Sequence, residues 1–295
     1  MQDSENSIYY ENLFFIRAIQ AIMEVTKFMG GFGVTINFVT DKVKLWVNGR
    51  VATVEMNRPE SLNSLDVDMI KGLVSKLKEI AESDDIDVVV LTGNGRAFSA
   101  GGDTKTMLSN LNESEFFPVM DCISELIITL YSIPKLTISA VNGAAAGLGF
   151  SLALATDHII ADKTSKLAMN FIGIGLIPDG GSHFFLEKRL GEIKAKQVIW
   201  DGKMMSAQEA LEIGLVQEVT EDLQETLDAR ISGWLQRPVQ AMIKTKKILA
   251  DMNRPQLIKI LELEKHGQLN MRRTLDHQEG IRAFIEKRPA KFIGK

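Results

Sequence analysis

Residues 87–105 read DVVVLTGNGRAFSAGGDTK, and residues 136–151 read LTISAVNGAAAGLGFS. In each stretch a short apolar run gives way to a cluster of glycines. Short apolar runs bounded by turn formers predict strands buried on both faces. After each glycine cluster the chain returns to helical spacing. Residues 113–132 are expected to be helical up to a stop at Pro134, and a second helix is expected through Ala155. Strand, loop, helix and strand therefore recur, which makes the fold class α/β with mostly parallel pairing.

The same reading extends outward. Residues 42–46 and 51–56 read as strands joined through Asn48-Gly49, a hairpin signal. Asn57-Arg58-Pro59 ends the second strand, because proline cannot continue a ladder and restricts its predecessor. Asp66 is placed to cap a helix through about Ser83, with Met69, Leu73, Leu77 and Ile80 at helical spacing. Residues 158–161 and 166–169 predict two further strands. Beyond about Glu221 the strand pattern ends, and residues 223–235, 239–252, 255–271 and 277–286 are expected to form helices. Their apolar faces suit packing on the core or on a neighbouring subunit. Residues 1–36 differ from the rest. An amphipathic segment from about Leu13 to Phe28 runs into Gly30, Gly31 and Gly33, as an added helix or an extension outside the core. The expected division is an extension over 1–36, an α/β core over 37–220 and a helical region over 221–295.

Composition narrows the function classes. The chain has 295 residues, 45% hydrophobic and 24% charged, which excludes wholesale disorder. Basic residues number 34 against 38 acidic, for a net charge of −4, which argues against a nucleic-acid partner. Cys122 is the single cysteine, so no internal disulfide is possible and a reducing compartment fits. The four histidines lack HExxH spacing, and no metal site is expected. Residues 136–156 are uncharged and long enough to span a bilayer, but their serines, glycines and Asn142 suit a strand, loop and helix better. Residues 13–38 are broken by Arg17, Glu24 and Lys27 and follow acidic residues, the wrong flank for a secretory signal. A cytoplasmic protein without a membrane partner is the expectation.

A glycine-rich junction after a buried strand presents unpaired backbone N–H groups, suited to an anion or a developing oxyanion. It is equally what a tight turn with positive φ requires. Gly102-Asp103-Thr104-Lys105 lacks the adjacent Gly-Lys of a phosphate loop, and Leu152 fills the third glycine position of a dinucleotide fingerprint. Gly149-Phe150-Ser151-Leu152-Ala153 resembles a nucleophile elbow without its final glycine. Asp179 with His183, or His266 and His277, are the residues that would have to complete its triad.

Five collinear stretches resemble one family. Phe98-Ser99-Ala100-Gly101-Gly102-Asp103 is similar to the FxAGxD signature of the crotonase superfamily, the enoyl-CoA hydratase/isomerase family, and residues 140–149 to its second signature. Residues 57–65 (NRPESLNSL), 175–181 (GLIPDGG) and 279–284 (EGIRAF) match as well. The resemblance implies a spiral of repeated ββα units with a helical C-terminal region. It also implies homotrimers or dimers of trimers, and an acyl-CoA thioester as substrate. No separate cofactor is implied, since CoA belongs to the substrate.

By the same resemblance, the backbone N–H groups of Gly102 and Leu148 form an oxyanion hole. Ser61, Leu62, Ala100, Asp103, Thr104 and Lys105 are expected along the CoA and pantetheine path, and Phe284 and Lys287 near the adenine end. Asp103 is read as a loop organiser, and Arg96 or Lys105 as able to reach a CoA phosphate. Residues from 113–132, and Phe171, are expected to shape the end of the pocket. Family hydratases carry two glutamates, at positions where this chain has Ser151 and Phe171. The carboxylate that remains is Asp179, where several family isomerases place a catalytic aspartate. Pro178-Asp179-Gly180-Gly181 is also an ordinary turn, in which an aspartate caps the next helix. His183 is read as a surface or interface residue and His158 as a core group. The preferred function is enoyl-CoA double-bond isomerisation. Hydratase/lyase activity, a non-catalytic acyl-CoA-binding subunit and, more distantly, a serine hydrolase stand as alternatives.

Overall fold

The computed structural model describes residues 38–103 and 113–295. The expected extension over 1–36, with its helix, lies outside the described residues, as do Thr104 and Lys105. The first strands, β1 (Val43–Asn48) and β2 (Val51–Met56), form an antiparallel hairpin whose register pairs Asn48 with Val51. Gly49 and Arg50 are therefore the loop, and Asn48 closes the strand rather than entering the turn. Gly49 has φ +56°, as the first central residue of a type II′ turn requires. The first helix, α1 (Val67–Glu82), is capped by Asp66, whose carboxylate accepts from the Met69 amide at 2.9 Å. Its inner face buries Met69, Ile70, Leu73, Leu77 and Ile80, each contributing about 1.5–3 kcal/mol through removal from water.

A two-strand, one-helix repeat then follows. The strands β3 (Val88–Gly93) and β4 (Ala97–Ser99) lead to α2 (Glu113–Ser132), and β5 (Leu136–Val141) and β6 (Ala144–Ala146) lead to α3 (Leu148–Leu154). The next pair, β7 (His158–Asp162) and β8 (Lys166–Ala168), is followed by a 3-10 turn (Asn170–Ile174), α4 (Ser182–Leu190) and α5 (Glu192–Asp201). In each pair the first strand joins a six-stranded sheet of order β1-β2-β3-β5-β7-β10, and the second joins a four-stranded sheet of order β4-β6-β8-β9. All neighbours in the two sheets are parallel except β1 with β2 and β8 with β9. This is the ββα spiral that the resemblance implies.

The glycine-rich segments are not loops throughout, because β4 and β6 lie inside them. The strands β9 (Met204–Ser206) and β10 (Glu218–Thr220), separated by α6 (Ala207–Glu212), were likewise not expected. The helical region holds α7 (Leu223–Leu235), α8 (Val239–Arg272) and α9 (Leu275–Glu286). Two helices were expected across 239–271, yet α8 is continuous with Pro255 inside it. Buried Val239 and Ile243 before Pro255, and Leu257 and Leu261 after it, hold both halves on the core, while the proline and Asp251 are exposed. The Asp251 carbonyl, which proline cannot bond, thus faces solvent.

Residues 38–295 make up one compact unit. One face of the large sheet packs against α1, α2 and α3, and the other against Leu227 of α7 and Val239 and Ile243 of α8. Among the described residues no helix is long and apolar enough to cross a membrane.

Candidate active site

The two glycine-rich segments meet back to back. Gly101 has φ +97°, and a Cβ there would lie 2.7 Å from the Ala146 carbonyl oxygen and 3.5 Å from the Leu148 nitrogen. Only glycine permits that approach. The first segment is braced from behind by residues 57–65. Asn63 donates to the Ala97 carbonyl at 2.7 Å, the Ala100 amide donates to Leu62 at 2.9 Å, and Arg58 meets Asp103 at 3.0 Å.

Gly102 forms a parallel bridge with Leu65, in which the Leu65 amide donates to Gly101 and the Asp103 amide donates to Leu65. In a parallel bridge the central residue's own N–H points away from its partner strand. The Gly102 amide is thereby turned from Leu65. Leu148 is the first residue of α3, where an amide has no intrahelical acceptor. Both residues line one cavity of about 270 Å³, with Ala100, Gly101 and Gly147. The rest of the lining includes Phe116, Val119 and Met120 from α2, Phe171, Leu176 and Asp179, then Gln268 and Arg272 from α8, and Ile281 and Phe284 from α9. Burial pushes the Arg272 guanidinium below its usual value, and it lies 5.3 Å from the Phe116 ring.

Asp179 sits in the turn between the 3-10 segment and α4, 6% exposed. Its carbonyl accepts from the Ser151 hydroxyl at 3.0 Å and the Ser182 hydroxyl at 2.8 Å. The Gln268 amide donates to Ile177 O at 2.6 Å and to Asp179 Oδ2 at 3.2 Å. The other oxygen, Oδ1, is buried and has no hydrogen-bond partner among the described residues. Burial pushes the Asp179 carboxyl up to about 8, the charge of Glu264 adds to that, and the Gln268 hydrogen bond opposes it. The residue does not cap α4, whose N-cap is Gly181 with no side-chain bond.

Of the residues expected to bind substrate, Ala100 and Phe284 line the cavity. Ser61, Leu62, Asp103 and Lys287 do not: Leu62 backs the glycine segment, Asp103 belongs to that segment and pairs with Arg58, and Lys287 ends α9 on the surface. Arg96 is exposed and also stands outside the lining. Ser151 is fully buried, hydrogen-bonded to Gly147 O, Asp179 O and, at 2.6 Å, the Ser182 hydroxyl. The histidines weighed as its partners are engaged elsewhere, His183 with Glu264, His266 with Glu262 and His277 with the Ile174 carbonyl. His158 is half-buried and bonded to Glu218 at 2.6 Å, with burial holding its imidazole below the usual value. Sequence reasoning missed Glu264 and Gln268. Their signal was present, since they continue the buried spacing Leu257, Leu261, 264, 268 along α8 as polar residues on an apolar stripe.

Comparison with known proteins places this geometry among relatives. Residues 47–295 match the family model described as enoyl-CoA hydratase/isomerase. The Bacillus subtilis protein YhaR, named for the same family, is 47% identical over 246 residues, covering 83% of this chain and 96% of its own. The 1,2-epoxyphenylacetyl-CoA isomerase of Escherichia coli is 34% identical over 254 residues, covering 83% and 95%. A crystal structure of an enoyl-CoA hydratase from Mycobacterium avium subsp. paratuberculosis superposes with a TM-score of 0.78 at 30% identity, covering 86% of this chain and all of that one.

Proposed function

Because the chain belongs to the enoyl-CoA hydratase/isomerase family, we propose that it moves a carbon–carbon double bond along an acyl-CoA thioester, with Asp179 carrying the proton. The observation that bears this reading is the Asp179 carboxyl itself. It is buried, it has one oxygen without a partner among the described residues, and it lines the same cavity as the Gly102 and Leu148 amides.

The thioester oxygen accepts from the two amides. Asp179, as carboxylate, takes a proton from C2 of a 3-enoyl thioester. The C2–H electron pair becomes the C2=C3 bond, the C3=C4 pair is released toward C4, and charge is shared with the thioester oxygen as a dienolate. Asp179 then returns the proton to C4, leaving the 2-enoyl product and the carboxylate as it began. One base on one side of the chain suffices for this cycle. Amides already oriented toward the oxyanion stabilise the intermediate without reorganisation, and one such donor is typically worth about 10²–10³ in rate.

Water addition asks for a second base. Phe171 lines the cavity where the family's hydratases carry a glutamate, and Ser151, at the other such position, is committed to Asp179 and Ser182. Asp179 is the one carboxylate among the described residues of the cavity wall.

The proposal extends to assembly. Ile248, Leu249 and Met252 stand 55–72% exposed along α8, and further copies of the chain would cover them. The decisive experiment is conversion of a 3-enoyl-CoA by Asp179→Asn. Turnover should vanish while acyl-CoA binding persists, and full turnover by the variant would remove Asp179 from the mechanism. Hydration of a 2-enoyl-CoA by the wild-type protein at a comparable rate would favour the hydratase alternative.

A further inference from the structure

We propose that Glu264 and Gln268 are positioning residues for Asp179, gripping its turn from one face of α8 and fixing a buried charge beside the carboxyl that must take the proton. The inference rests on the reading of Asp179 as the base and adds what governs it. The two residues are one helical turn apart and so share a face. Gln268 holds the turn at its start, through the Ile177 carbonyl and Asp179 Oδ2. Glu264 holds its end, accepting from the Gly181 amide at 2.7 Å and the His183 amide at 3.1 Å, with His183 Nδ1 at 2.7 Å. Glu264 is 2% exposed, whereas the His183 side chain is 37% exposed. The carboxylate is thus deep beside Asp179, and its imidazole neighbour reaches solvent.

The groups around Asp179 divide cleanly. From α8 come Glu264, Gln268 and Arg272, and from α4 come Ser182 and His183. The third helix, α3, presents Ser151, and α2 presents Ile127 toward Gly181. Glu264 is the charged group whose field acts on Asp179, and it disfavours the carboxylate. Gln268 acts in the opposite sense, donating to the charged form. Burial is the main cause of the raised proton affinity, and the same two side chains that place Asp179 adjust it with opposite signs.

Those signs make the test. The Asp179 carboxyl is followed by carbon-13 NMR across pH, assigned with Asp179→Asn, alongside the acid limb of kcat/KM on a 3-enoyl-CoA. Glu264→Gln should move the titration midpoint down by about one pH unit. At a pH below the limb, that reads as an about tenfold gain relative to the plateau rate. Glu264→Asp keeps the charge and should leave the midpoint in place, while Gln268→Leu should move it up. A loosened turn would not produce opposite displacements. A midpoint unmoved in Glu264→Gln overturns the inference. If that variant does not fold, an unmoved midpoint in Gln268→Leu overturns it instead. A midpoint that moves while the rate limb does not would support the inference and refute the reading of Asp179 as the base.

Discussion

Replacing Asp179 with asparagine should make the stability of the protein less dependent on pH, by an amount the structure sets. In the unfolded chain the carboxyl ionises near its ordinary 3.8, whereas burial holds the folded one at about 8. Between those values the folded state carries one proton more than the unfolded state. Stability therefore falls as pH rises through that window, by about 1.4 kcal/mol per unit from this group alone. Across pH 5 to 8 the loss is on the order of 4 kcal/mol, and below about 4 it disappears. Asparagine has no charge to desolvate and contributes no slope. Urea unfolding of both proteins at fixed concentration, from pH 5 to 8, should give a difference that grows steadily in favour of Asp179→Asn. Whatever the substitution costs through the Gln268 contact shifts that line without tilting it. A difference that stays constant across the window would mean that Asp179 is ionised in the folded protein, and the account of it as a proton carrier with raised affinity would fail. Loss of isomerisation in the same variant, beside the stability gain at high pH, would mark a residue kept for chemistry at the expense of the fold.

Further expectations concern rate and assembly. The wild-type kcat/KM for a 3-enoyl-CoA should rise about tenfold per pH unit below about 8 and then level, because the base works deprotonated; a flat profile from pH 6 to 9 would contradict it. Gly101→Ala forces a Cβ to 2.7 Å from the Ala146 carbonyl and parts the two amides. It should cost about 10²–10³ in kcat with circular dichroism unchanged, and an unaltered kcat would clear the amides of that role. Sedimentation of the wild-type protein should show an oligomer that Leu249→Glu with Met252→Glu dissociates, and a wild-type monomer would refute the covering of that face by copies.

The sequence was most legible where a physical period had room to repeat. The inner spacing of α1, its Asp66 cap and the apolar runs of β3 and β5 were readable because each is a local agreement of pattern and capping chemistry. The strands β4, β6, β9 and β10 were not, since β4 and β6 are hidden in glycine-rich segments and all four are defined by pairing with distant partners. Pro255 was misleading, since a proline read locally breaks a helix. Here the exposed side absorbs the lost bond and the buried side keeps its contacts. Motif order drew attention to Asp179 and the glycine segments, but it could not reveal that Asp179 Oδ1 has no partner among the described residues, or that residues 264 and 268 reach it across more than 80 positions of chain. Burial and partner identity are properties of the assembled molecule.

The unbroken course of α8 carries a consequence for how this chain can vary. Its first turns lie under the large sheet with Val239 and Ile243, and its later turns meet the segment from Ile177 to His183. An α-helix advances about 100° per residue. A single insertion or deletion between Pro255 and Glu264 would swing the far half a quarter-turn or more, presenting neighbouring side chains to Ile177 and Gly181 in place of the two that fit. Exchanges among the polar residues on the outer side of this rod should be tolerated, whereas an insertion or deletion between Pro255 and Glu264 should be ruinous.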